Sequence, residues 1–155
     1  MKKVICYLVL IYIMTGCISG GVYALDSSIT GEEIKNKFNQ IQLISIPYEY
    51  ENGMVLEKNA KIYQLKNGEC AIVAILNNES NFGGYEDIIY FSNKVFKLGY
   101  TRSFFSIFLD HEATKKSDKI KYDELITDND TQKELQVDFK NYLKQMNKNT
   151  LNKCS

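Results

Sequence analysis

The chain is poor in the residues that most often mark a chemical task. It has one histidine, His111, one proline, Pro47, no tryptophan and, among nineteen basic residues, a single arginine, Arg102. One histidine cannot assemble a zinc site of the usual histidine-rich type from this chain alone. Nineteen acidic residues balance the nineteen basic ones, so there is no overall positive field, which argues against a general binder of phosphate backbones. No cofactor motif and no internal repeat is present, and the only compositional bias is towards asparagine and lysine. The main apolar run, Val4 to Met14, is shorter than the roughly 20 residues a membrane-spanning helix needs.

That run is informative in another way. Lys2 and Lys3 precede it, and Ser19-Gly20-Gly21-Val22-Tyr23-Ala24 follows it. A cationic start, an apolar core and small residues at Val22 and Ala24 make the pattern of a secretory signal peptide. Residues 1–24 are therefore expected to be a signal peptide and residues 25–155 a single α+β domain. The mature chain keeps 131 residues, with 17 basic against 19 acidic, a net charge of −2. Met14-Thr15-Gly16-Cys17 also resembles the lipobox of bacterial lipoproteins, with Met14 where leucine is usual. On that alternative Cys17 is acylated, and the protein meets a membrane only through that anchor.

Either cleavage removes Cys6 and loses or lipidates Cys17, leaving Cys70 and Cys154 as the remaining pair. In an oxidising compartment an even pair reads as a disulfide, here joining an apolar strand to the extreme C-terminus.

The strand in question is the organising stretch. Cys70 to Leu76 has no polar alternation, so both of its faces should be covered. Asn67-Gly68 before it, and Asn52-Gly53 earlier, have the composition of type I′ hairpin turns. Thr30-Gly31-Glu32-Glu33 has capping-box spacing and opens a helix whose stripe is Ile34, Phe38 and Ile41. Leu43 to Tyr50 alternates as a strand, and Pro47 makes it an edge; Met54 to Leu65 returns as a second. Asn77 to Gly84 is turn chemistry. Tyr85 to Leu98 reads as a helix, with Glu86 and Asp87 in its first turn, Lys94 and Lys97 in its last and Gly99 at its stop. Tyr100 to Leu109 reads as a strand, His111 to Asp130 as a long loop with a short element near Tyr122 to Ile126, and Thr131 to Met146 as a helix opened by Thr131 and Glu134. Asn147 to Ser155 reads as a tail. The expected fold is α+β: a small, mostly antiparallel sheet, a three-strand meander plus one further strand, packed with about three helices.

Candidate chemistry is thin. Asp110-His111-Glu112 does not converge on one ion, because alternate strand residues point apart. Cys70 as nucleophile with His111 as base would make a small hydrolase if the fold joined them, yet no nucleophile motif surrounds Cys70. Gly83-Gly84 before a helix has the form of an anion site, but Glu86 and Asp87 would repel an anion. Asp128, Asn129 and Asp130 lack the glycine and final glutamate of a calcium loop and suit a helix cap. Lys115, Lys116, Lys119 and Lys121 form a solvated basic cluster. No cofactor or metal is called for. Eleven tyrosines and eight phenylalanines supply rings of the kind favoured at protein interfaces. The function expected is an exported, periplasmic or secreted, non-catalytic domain that binds another protein, of the inhibitor or immunity type. The Cys70–His111 hydrolase and the Cys17-anchored envelope lipoprotein stand as alternatives.

Overall fold

The computed structural model describes residues 30–49, 55–77, 83–106 and 120–155. Its centre is one antiparallel sheet of six strands in chain order: β1 (Asn39–Glu49), β2 (Val55–Gln64), β3 (Cys70–Asn77), β4 (Gly83–Ser92), β5 (Val95–Ser106) and β6 (Ile120–Tyr122). Helix α1 (Gly31–Lys37) precedes it, and α2 (Asn129–Gln145) and α3 (Lys148–Lys153) follow it. This is an α+β arrangement with a larger sheet than the three-strand meander plus one that the sequence suggests.

β3 lies inside the sheet and is covered on both sides, as its unbroken apolar run requires. Cys70, Ile72 and Ala74 face α2 and α3 in a core with Ile62, Ile89, Phe91, Leu135, Phe139 and Tyr142. Ala71 and Val73 face the other way, into a second core with Ile34 of α1, Tyr63, Ile88, Tyr90 and Tyr100. β1 carries Pro47 and is an outer strand, where a missing N–H costs no ladder hydrogen bond.

Of the two extra strands, β6 comes from the stretch read as a loop with one short element, and β4 from the stretch read as a helix. Residues 85–98 form most of the β4–β5 hairpin instead. Ile88, Ile89, Tyr90 and Phe91 are buried in alternation on opposite faces, which satisfies a continuous apolar run in a strand as well as a helical stripe does. The turn is Asn93-Lys94, with φ of 51° and 62°. Both central residues are left-handed, as a type I′ turn demands, but lysine stands where glycine would have announced it. At Asn67-Gly68 the reverse holds. Residues 66–68 make a short 3-10 turn and only Gly68 takes positive φ, 75°.

Three other boundaries differ. The Thr30 capping box is present, Thr30 Oγ1 accepting from the Glu33 N–H at 3.1 Å and Glu33 accepting from the Thr30 N–H at 2.8 Å. The helix nevertheless stops at Lys37, and Ile41 lies in β1 on the core opposite Ile34. Helix α2 is capped by Asp128, which accepts from the Thr131 N–H at 2.8 Å; it begins before the expected Thr131 box, because a carboxylate three residues earlier caps it first. Its apolar residues Leu135, Phe139, Tyr142 and Met146 form one buried stripe. The C-terminal segment is helix α3 rather than a tail, capped by Asn147 accepting from the Thr150 N–H at 2.8 Å.

The C-terminal segment is tied to one end of the sheet. Cys70 and Cys154 form a disulfide across 84 positions of sequence. The Cys154 carbonyl accepts from the Asn93 N–H at 2.7 Å, and Gln42 brackets the α2–α3 junction, donating to the Gln145 carbonyl at 2.9 Å and accepting from the Asn147 N–H at 3.1 Å. At its other end α2 is held by Gln132, whose amide exchanges two hydrogen bonds with Gly99 of β5, at 3.1 and 2.6 Å.

Candidate functional site

Two charged residues adjacent in β4, Glu86 and Asp87, set the electrostatics of the molecule. Neighbours on a strand point to opposite faces, so each acid is buried in a different layer and each needs its own cation. Glu86 is 2% exposed and pairs with Arg102 of β5, itself 5% exposed. Arg102 Nε donates to Glu86 Oε1 at 2.9 Å, and the same oxygen accepts from the Gly31 N–H at the start of α1 at 3.4 Å. The guanidinium lies over the ring of Tyr122 in β6, 3.6 Å from its centroid, a cation–π contact. Burial, then the Glu86 charge, hold the Tyr122 phenol above its ordinary pKa against the opposing effect of Arg102. This network joins α1, β4, β5 and β6.

On the other face Asp87 meets Lys58 of β2. Lys58 Nζ lies 2.5 Å from Asp87 Oδ2 and 2.7 Å from Asp138 Oδ2 of α2. The strand between them, β3, presents Ala74 in register with Asp87, and Leu76 in register with Lys58. A methyl at Ala74 leaves room for the lysine to cross. Burial alone would lower the Lys58 pKa, but Asp87, Tyr142 and Asp138 together outweigh it and raise the value above its ordinary 10.5. A lysine held protonated is neither a base nor a nucleophile. Tyr142, pressed against it, is pushed above the usual phenol range by burial.

These residues form the floor of a cleft of about 450 Å³. Its position follows from the anchoring of the C-terminus. The disulfide, Asn93 and Gln42 draw α2 and α3 towards one end of the sheet face, and the other end is left open. Leu76 lies in the floor, Ile126 and Thr131 at the side, and Tyr48 and Tyr85 at the rim, 41% and 54% exposed. Phe105, opposite Gly83 in the register and one row beyond Tyr85 and Ser103, is exposed on the same face. Ile126 bridges Thr101 on the outer edge of β5 and is also exposed. The result is an apolar, ring-bearing rim around an ion-paired floor, a form suited to holding another molecule by shape and charge.

The residues singled out from sequence are elsewhere. Cys70 is fully buried and bonded to Cys154, so it carries no free thiol for the hydrolase reading, and His111 lies outside the described residues. Cys17, Lys115, Lys116 and Lys119 do as well, as do the leader and the Asn52-Gly53 turn. Gly83 and Gly84 are strand residues with no helix after them, which removes the anion-site reading; a Cβ on Gly84 would run into the Leu76 carbonyl. Asp128 caps α2. Among the described residues no group of three His, Cys, Asp or Glu is placed to hold a metal ion, and no helix is long and apolar enough to cross a membrane.

Lys58, Asp87, Asp138 and the rim tyrosines escaped the sequence reading for one reason. The 85–98 helix assignment put Glu86 and Asp87 in the first turn of a helix, and the cleft exists only once residues from β1, β2, β4, β5 and α2 share a face. Two adjacent acids before the buried run Ile88 to Phe91 were the available signal. Comparison with known families, with curated proteins and with solved structures finds no match, and the reading of the site rests on its geometry.

Proposed function

We propose that this is an exported, non-catalytic domain that binds another protein, of the inhibitor or immunity type, and that the open end of the sheet face is its docking surface. The observation that carries the reading is the exposed set Tyr48, Tyr85, Phe105 and Ile126 around the cleft. Large rings with few rotatable bonds give contact area at low entropic cost and are concentrated at protein interfaces. The ion-paired floor supports it too: Lys58, shared by two carboxylates, is suited to electrostatic complementarity and not to proton transfer. Export is supported by the leader pattern of residues 1–24 and accords with a buried disulfide, which oxidising compartments favour.

The test is to express the full-length chain in its source cells, with a tag, beside the Tyr48→Ala/Tyr85→Ala variant. Both should be recovered outside the cytoplasm at the mass of residues 25–155, and one protein should co-purify with the wild type and be lost from the variant. Retention inside the cell with the leader attached contradicts the export half; identical co-purifying proteins from both contradict the docking half. A mass corresponding to an acylated Cys17 would place the same domain on a membrane surface.

A further inference from the structure

We infer that the partner enters this cleft with a basic segment, seating a lysine or arginine side chain against Glu134 and Asp138 beside Tyr85. The inference rests on the docking reading above and names the chemistry of the partner at that site. Among the described residues, five charged side chains line the cleft: Lys58, Asp87, Arg102, Glu134 and Asp138. Arg102 is committed to Glu86 on the opposite face, its guanidinium stacked on Tyr122. Lys58 is shared by Asp87 and Asp138. That leaves three carboxylates to one cation, an excess of two negative charges, and Glu134 is the exposed member, with no salt bridge among the described residues.

The neighbouring helix end does not reverse this. The N-terminus of α2 carries a partial positive charge, but Asp128 caps it and Asp130 is occupied by Lys133 at 2.8 Å, on the exposed surface. Lys58 stays protonated across the neutral range, so the charge balance is constant there. A lysine or arginine suits the rest of the lining as well. Its alkyl stem can lie along Ile126 and Leu76, and its head can approach the faces of exposed rings. An acidic segment would meet Glu134 and Asp138 directly and is disfavoured by like charge.

The probes are a tetra-arginine and a tetra-glutamate peptide, added to the isotope-labelled mature protein and followed by amide NMR. Tetra-arginine should shift, in a saturable way, amides of Tyr85 to Asp87, Thr101 to Ser103 and Thr131 to Asp138. Its affinity should fall by about threefold or more in Glu134→Gln and on raising salt from about 50 to about 200 mM. Glu32→Gln, on the opposite face, should leave it unchanged, and tetra-glutamate should not shift the cleft amides. Arginine shifts spread over the surface or centred elsewhere, equal affinity in Glu134→Gln, or tetra-glutamate in the same cleft would each overturn the inference. In cells, a photo-crosslink from position 85 that is as strong in Glu134→Lys as in wild type would leave the docking surface standing and overturn the basic partner. A crosslink weakened there while expression and thermal stability hold supports it, and no crosslink in either protein removes the docking reading itself, and the inference with it.

Discussion

Glu86 and Asp87 differ by one position in sequence and by a whole layer in space, and their replacement should separate accordingly. Glu86→Ala strips the counterion from an arginine that is 5% exposed, and removing one partner of a buried pair costs roughly 3–5 kcal/mol. Asp87→Ala leaves Lys58 with Asp138 and should cost less, about 1–3 kcal/mol. Urea unfolding of both variants checks the order; an equal or inverted loss would mean that the two networks are not independent. Glycine and lysine offer a second pair. A Cβ at Gly99 would meet Leu135 Cδ1 at 2.6 Å and the Phe96 ring at 3.2 Å, so Gly99→Ala should destabilise by roughly 1–3 kcal/mol through overpacking. Lys94 holds a φ of 62° that costs a side chain roughly 1–2 kcal/mol and glycine little. Lys94→Gly should therefore raise stability, by about 0.5–1 kcal/mol after the looser unfolded chain is counted. A fall in melting temperature would refute the strained turn.

Among the elements, helices α2 and α3 depend on how they are fastened. They pack Leu135, Phe139, Tyr142 and Met146 on the sheet, and the Cys70–Cys154 bond closes a loop of 84 positions. In the chain-entropy account such a link contributes about 4 kcal/mol, so Cys70→Ala/Cys154→Ala should lower the unfolding free energy by up to that amount. Hydrogen exchange should accelerate first in α3; uniform acceleration over the sheet would show that the bond supports the whole domain and not its C-terminal end. The same elements show what was readable beforehand. The Cys70–Leu76 strand, the edge position of Pro47, the Thr30 cap and the α2 stripe follow from local rules of burial, backbone hydrogen bonding and capping. The β4–β5 hairpin did not, because its turn uses lysine for glycine and its acids are neutralised by Lys58 and Arg102, partners fixed only by tertiary structure. The cleft was illegible for the same reason: Tyr48, Tyr85 and Asp138 are far apart in sequence and no local pattern links them.

At the scale of the whole molecule, two consequences can be measured. One is alkaline lability. The Lys58 pKa lies above its ordinary 10.5 in the folded protein, so the native state keeps a proton that the unfolded chain releases. Its contribution is complete below that pH and lost as pH rises through the folded value. Tyr142 is raised above 10.0 by burial; the native state resists forming the phenolate, which acts in the same direction. The melting temperature should therefore fall above about pH 10, and less steeply in Lys58→Met or Tyr142→Phe. An unchanged alkaline slope in both variants would remove those groups from the account. The other consequence is the docking surface itself, tested most directly by placing a photo-crosslinking amino acid at position 85 or, as control, at the exposed Val95 beside the β4–β5 turn, in the exported protein. The account predicts a single protein adduct from position 85, abolished by Tyr48→Ala, and none from position 95. Equal adducts from both positions, or an adduct from position 95 alone, would contradict it.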